Sequence, residues 1–264
     1  MEFLERGICR LGIVPVRSAP GDTCEMVNQL LFGEHYTVLE LSDSKEWIRI
    51  KAYFDEHEGW INSRQHHRIT EDYFNQINNS DYKISLDISS SILYRKNTIH
   101  IVMGSILPIS TNELFKMEEK LAFNGESKSL GQKREFEFLK QVAGKYLNSP
   151  YLWGGKSPFG IDCSGFVQQV FKVCGYKLPR DSHRQAEIGT KIDELPDVLP
   201  GDIAFFKNSK GKIAHVGIIL EDGNIIHASG QVRIDKLTEH GIVDEKLKQL
   251  THKLFSIKRI LKTL

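Results

Sequence analysis

The sequence predicts an α+β protein, with one or two small β-barrels in front and a domain of helices and antiparallel strands behind. Three observations carry that prediction. Short strand-like runs divided by turns fill the first part of the chain. A polar stretch containing Gly and Ser is followed by two segments with amphipathic helical spacing. Two apolar runs then meet across Asp222-Gly223, a hairpin signal. The composition agrees: 264 residues, 40% hydrophobic and 26% charged, suit a globular chain of one large domain or a few small ones. Lys+Arg at 35 against Asp+Glu at 34 leaves a net charge of +1, which excludes bulk attraction to nucleic acid or anionic lipid. No apolar run approaches the roughly 18–20 residues of a membrane helix. Four cysteines, without a CxxC or Cys/His zinc spacing, exclude a disulfide framework and a structural zinc site.

The opening segment, MEFLERGICRLGIVPVRSAP, carries Glu2, Glu5, Arg6 and Arg10, which break any signal-peptide core. With Met1 as the natural start, the expected location is the cytoplasm. A removed leader replaced by Met would leave the same text in a periplasmic or exported protein. GICRLGIVPVRSAP reads as a first strand running into a loop. Thr37–Glu40, Trp47–Lys51 and Gly59–Ile61 follow as strands, separated by the turn-rich SAPGD and LSDSKE. Short strands at this spacing predict a small barrel over residues 1–66. LLFGEHYTVLE, WIRI and EGWI resemble the rhythm of the bacterial SH3-like barrels attached to cell-wall enzymes. TEDYFNQINNS predicts a short helix, with Thr70 as N-cap and Phe74 and Ile77 on one face. KISLDISSSILY and HIVMGSILPIS predict a second, degenerate SH3-like barrel within 80–126. The stretch 127–134 reads as a linker. REFEFLKQVAGKYLN then opens the back domain, 135–264, with a stripe of Phe136, Leu139, Val142, Ala143, Tyr146 and Leu147.

The chemistry centres on Cys163. In YLWGGKSPFGIDCSGFVQQVFKVCGYKLPRDS, the residues Phe166, Val167, Val170, Phe171 and Cys174 share a helical face, and Gly175 supplies a stop. Asp162 is a good N-cap and sets Cys163 in the first turn of a buried helix. Unpaired N–H groups and the helix dipole there favour an anion, so a lowered thiol pKa is expected. Cys174, on the apolar face, reads as core; Cys9 and Cys24 have no such context.

A thiol nucleophile needs a base, and the base an orienting group. Among ten histidines, the informative ones are His215 and His227 in GKIAHVGIILEDGNIIHASG. A two-residue turn would put their rings on opposite faces. A three-residue loop, Glu221-Asp222-Gly223 with Gly223 left-handed, places His227 opposite Gly217, diagonal to His215 and on the same face. That register is the one predicted here, with Gly217 leaving room for both rings. A metal site of Cys163, His215 and His227 is disfavoured, because it has no fourth ligand at an obvious position.

PYLWGG, DCSGF, LPRDSHRQ, PGDIAFF, HVGII and IIHASG, in this order over about residues 132–264, resemble the NlpC-type cysteine peptidases of the papain-like superfamily. The closest likeness is to the dipeptidyl-peptidase six type, which recycles murein peptides. The resemblance implies Cys163 as nucleophile, His215 as base and His227 as its orienting partner. It implies that Tyr151, Asp162, Ser164 and Ser182 line the pocket for the acyl side of the substrate. It implies cleavage of the γ-D-glutamyl bond to a diamino acid, diaminopimelate or lysine, in fragments with a free N-terminal L-Ala. Glu34 matches an acidic position for the Ala ammonium. At His57, three residues before Trp60, relatives often carry an aromatic such as Tyr. The expected partner is the murein peptide alone, with no cofactor and no obligate protein partner. The alternatives are remodelling of intact wall and non-catalytic binding of murein peptides.

Overall fold

The computed structural model describes residues 5–110, 115–116, 121–244 and 247–261. The outer ends of both expected domains, and part of the expected second barrel, lie outside these residues. The chain divides into two compact units. One comprises Met1–Gln132 with Trp153–Pro158, the other Lys133–Leu152 with Phe159–Leu264.

In the front unit an antiparallel sheet of seven strands has the order Met26–Leu31, Ile13–Arg17, Glu58–Asn62, Trp47–Ala52, His35–Leu41, Glu5–Ile8 and Arg68–Ile69. Alternation drives it: Ile48, Ile50 and Ala52 point inward and meet Val14, Val16, Tyr36 and Val38 in one core. The opening segment forms two strands rather than the single one expected, and it turns around the buried Cys9. Met26–Leu31 is a further strand. Its alternation is hidden by Asn28 and Gln29, both buried; Asn28 donates to Asp55 and Gln29 accepts from the Lys156 backbone N–H. Helix α1, Glu71–Asn79, is capped by the Thr70 hydroxyl, which accepts from Tyr73 N, and it buries Phe74 and Ile77.

Two smaller sheets complete the unit. One runs Asn97–Val102, Ser89–Tyr94, Leu121–Asn124, Phe115–Lys116; the other runs Ile106–Ser110, Tyr82–Ser85, Ser127–Ser129. The expected linker, 127–134, therefore begins as a strand. Lys128 is buried, and its ammonium donates to the carbonyls of Ser129 and Gln132. The expected back domain is also interrupted. Trp153–Pro158 belongs to the front unit, where Lys156 Nζ lies 3.1 Å from both oxygens of the buried Glu34 carboxylate. A buried ammonium needs such a partner, and none was visible in the linear text.

In the back unit, α2 (Phe136–Gly144) buries Leu139, Val142 and Ala143 and packs on α3 (Cys163–Val173). Tyr146 follows inside the core, while Leu147 is exposed. Helix α3 is buried along its whole length. It ends in a Schellman motif: Gly175 takes φ +84°, Tyr176 N donates to Phe171 O at 2.9 Å, and the two rings meet edge to face. Behind the helices a seven-stranded antiparallel sheet runs Thr190–Ile192, Gln249–Arg259, Ile203–Lys207, Ile213–Ile219, Asn224–Ser229, Gln231–Thr238, Gly241–Asp244. Its last strand pairs back onto Gln249–Arg259 and closes six of the strands into a ring. Helix α3 packs on the strands carrying His215 and His227. Among the described residues, no helix is long and apolar enough to cross a membrane.

Candidate active site

Asp162 sits at the N-cap of α3 and its Oδ1 accepts from the Gly165 N–H at 2.7 Å, which places Cys163 at the first helical position. The same carboxylate accepts from Ser164 Oγ at 3.1 Å and from Arg180 at 2.9 and 2.5 Å, and Arg180 also donates to Ser164 Oγ at 2.8 Å. All three side chains are buried. Gln185, from the short helix α4 (Ser182–Gln185), donates to Ser164 O and Pro179 O and straps this segment to α3. Ser182 opens α4, half-buried, and α4 packs on the strand of His215. Tyr151 lies beside the thiol. Burial first, then the Cys163 and Asp162 charges, push its hydroxyl up to about 12, so it remains a donor at neutral pH.

The thiol does not have the lowered pKa expected of a helix N-terminus. Burial, reinforced by the Asp162 charge, pushes Cys163 up to about 12; a hydrogen bond from the Val216 backbone and the Arg180 charge act the other way. Burial is the main cause of the reversal, and the cap adds to it: its carboxylate takes a first-turn N–H and sets a negative charge near the sulfur. The Val216 contact places that sulfur against the residue following His215.

The histidine hairpin has the three-residue register. Gly217 pairs with His227, Leu220 N bonds to Asn224 O, and Gly223 is left-handed at φ +65°, as is Asp222 at +56°. Both rings lie on one face, and His215 Nε2 is 2.8 Å from His227 Nδ1. A Cβ on Gly217 would stand 2.9 Å from His227 Cβ, so the close approach requires glycine there. Both imidazoles are held below the ordinary histidine range, His215 well below it, chiefly by burial.

The structure adds residues that the sequence reading did not single out. His227 Nε2 lies 2.9 Å from Asp235 Oδ2, and Arg233 donates to Asp235 Oδ1 at 2.7 Å and to Asp244 Oδ2 at 3.0 Å. Arg233 pairs directly opposite His227 in the next strand, and Asp235 is its diagonal neighbour on the same face. An R-x-D on the strand after the histidine hairpin was the available signal; reading it required the register across Gly230. A cavity of about 670 Å³ opens at this end, lined by Ser229, Gln231, Arg233, Asp235 and Asp244 among others. His252 stacks on His215 with ring centroids 4.1 Å apart. Burial, then His227, lower it to about 4. His215, His227 and His252 offer ring nitrogens within 4.8 Å of one another, the group among the described residues with the spacing to hold a metal ion. Cys163, the ligand considered from the sequence, is not part of it. His215 and His227 already share a hydrogen bond between ring nitrogens.

Glu34 and His57 lie in the front unit. Glu34 is buried rather than an exposed turn residue, with Lys156 on its carboxylate and Leu31 N donating to Oε2 at 3.0 Å. His57 is half-buried, and its backbone N–H donates to Asp55 Oδ1 at 3.1 Å.

A thiol at a helix start, on a helix packed against two strands that each bear one of two hydrogen-bonded imidazoles, is the arrangement of the cysteine peptidase class. Residues 148–251 match the NlpC/P60 family, and residues 16–65 match the bacterial dipeptidyl-peptidase SH3 domain. The γ-D-glutamyl-L-lysine dipeptidyl-peptidase of Bacillus subtilis is 31% identical over 219 residues, covering 76% of this chain and 71% of its own. The protein of that name from Bacillus cereus is 39% identical over 105 residues, covering 38% of this chain and 31% of its own. The chain belongs to the NlpC/P60 family. The crystal structure of an NlpC/P60 family protein from Bacillus cereus shares the fold across 97% of this chain and 99% of its own, with a TM-score of 0.81 at 18% identity. The α+β architecture with a small N-terminal SH3-like barrel is thus that of the family.

Proposed function

We propose that this protein is a cysteine endopeptidase that hydrolyses the γ-D-glutamyl bond to a diamino acid in murein stem peptides. The observation that carries the reading is the His215–His227 pair at 2.8 Å on the strands against which Cys163 packs. With His215 Nε2 bonded to His227, the thiol proton passes to Nδ1 as sulfur attacks the acyl carbon. The Cys163 N–H, at the helix N-terminus, stabilises the oxyanion, and Tyr151 is a further donor beside it. His215 returns the proton to the leaving amine as the C–N bond breaks. Water then attacks the thioester with His215 as base; the C–S bond breaks, and the thiol is restored.

The names of two relatives support the bond and favour lysine as the diamino acid. A free N-terminal L-Ala, recycling of released fragments and a cytoplasmic setting complete the proposal. Glu34 enters it as a buried carboxylate already partnered by Lys156, so an Ala ammonium would share that charge.

Mass spectrometry of L-Ala-γ-D-Glu-L-Lys and its N-acetylated twin tests this reading. Cleavage of the free-amine peptide alone supports a recycling peptidase. Cleavage of both removes the free-amine requirement and points to wall remodelling. Binding without cleavage of either leaves a murein-peptide binding protein.

A further inference from the structure

We infer that Asp235 is a positioning residue that sets the tautomers of both histidines, so that Nδ1 of His215, the ring nitrogen not bonded to His227, carries the lone pair that would take the thiol proton. The inference deepens the cysteine-peptidase reading and rests on it. A carboxylate only accepts hydrogen bonds, so His227 Nε2, 2.9 Å from Asp235 Oδ2, is the protonated nitrogen of that ring. In the neutral ring Nδ1 is then an acceptor. It is 2.8 Å from His215 Nε2, which must therefore carry the proton there. His215 is left with an unprotonated Nδ1, the form that a general base needs. Reversing the hydrogen bond at Asp235 would reverse both rings and leave His215 unable to take the thiol proton.

Arg233 makes the carboxylate's role specific. It donates to Asp235 Oδ1 at 2.7 Å and can only donate. In Asp235→Asn the same guanidinium would hold the amide oxygen on its own side and present the amide NH2 to His227 Nε2. The substitution is nearly isosteric, yet it forces the wrong tautomer. Removing the Arg233 donor frees the amide to turn its oxygen back to His227. The other groups facing this chain are His252 stacked on His215 and Asp244 on the far side of Arg233.

The test measures hydrolysis of L-Ala-γ-D-Glu-L-Lys by wild type, Asp235→Asn and Arg233→Met/Asp235→Asn, with ¹⁵N NMR of the histidine tautomers in each. The expected result is a fall in kcat on the order of 10²–10⁴ for Asp235→Asn, the scale of a wrong-tautomer substitution in a hydrolase triad. KM stays near the wild-type value, and the His227 proton moves from Nε2 to Nδ1. The double variant regains most of the lost kcat and the wild-type tautomer, which a purely structural role for Asp235 would not produce. Wild-type kcat in Asp235→Asn overturns the inference, as does a loss of kcat with the tautomers unchanged. Wild-type NMR alone also decides it, whether or not the variants fold, since a proton on His227 Nδ1 or His215 Nδ1 would contradict the chain of bonds. Failure of the peptidase reading is recognised separately, by a wild type that cleaves nothing while its tautomers are as stated.

Discussion

Arg180→Met should destabilise the protein more than any other single change around the helix start. The guanidinium makes two bonds to Asp162, at 2.9 and 2.5 Å, and one to Ser164 at 2.8 Å, all three side chains being buried. Methionine keeps much of the volume and removes every donor. Asp162 then stays in the interior without its counter-charge, still accepting from the Gly165 N–H and the Ser164 hydroxyl. Removing one partner of a buried ion pair costs about 3–5 kcal/mol, because the other charge is left uncompensated. At an m-value of about 2 kcal/mol/M, that lowers the urea midpoint by about 2 M. Asp162→Asn/Arg180→Met removes the stranded charge and keeps an acceptor for Gly165 N, so its loss should fall to about 1–2 kcal/mol, the value of a weakened cap. Urea titrations of the three proteins check this. A single variant within about 1 kcal/mol of wild type, or a double variant as damaged as the single, would refute the view of Arg180 as counter-charge to the cap.

Gly217→Ala should lower kcat well beyond its effect on stability, because the new methyl meets His227 Cβ and Ile225 Cδ1 at 2.9 Å and separates the imidazoles; kinetics beside thermal denaturation measure it. His252 stays neutral in the folded protein down to about pH 4, while the unfolded chain protonates it near pH 6.5, and His215 and His227 shift in the same direction. Stability should therefore fall as pH drops from about 7 to about 4 through these groups, and replacing His252 with Phe should flatten that slope in urea midpoints taken across the range. With its thiol near 12, Cys163 at pH 7 should react with iodoacetamide roughly 10³-fold more slowly than free cysteine, and about tenfold faster per pH unit up to pH 10. A fast plateau between pH 5 and 7 would instead show a resting thiolate–imidazolium pair.

Local patterns made much of the site legible. Helix α3 displayed its N-cap, its apolar face and its terminal glycine in consecutive residues. The histidine register followed from the chemistry of a short loop, which fixes the parity of the two strands. Other features depend on pairings distant in sequence. Asp235 and Arg233 reach His227 through the tight turn at Gly230, and His252 arrives from the long closing strand. Arg180 stood inside a recognised stretch, LPRDSHRQ, but its partner is set by the path back to α3. The strand Met26–Leu31 was hidden because Asn28 and Gln29 are satisfied inside the protein, Gln29 by the backbone of a residue far along the chain. The hairpin turn Arg95-Lys96 has both residues at positive φ without the Asn-Gly signal that marks such turns. The thiol pKa departs from the helix-terminus expectation because burial, with the Asp162 charge behind it, outweighs the terminus.

The measurement that tests the central claim most directly compares wild type with Cys163→Ala on L-Ala-γ-D-Glu-L-Lys, following released lysine by mass spectrometry and binding by calorimetry. The account predicts turnover by wild type only, with the variant folded and binding the peptide at near wild-type affinity. Lysine release by Cys163→Ala at a rate near wild type would contradict it.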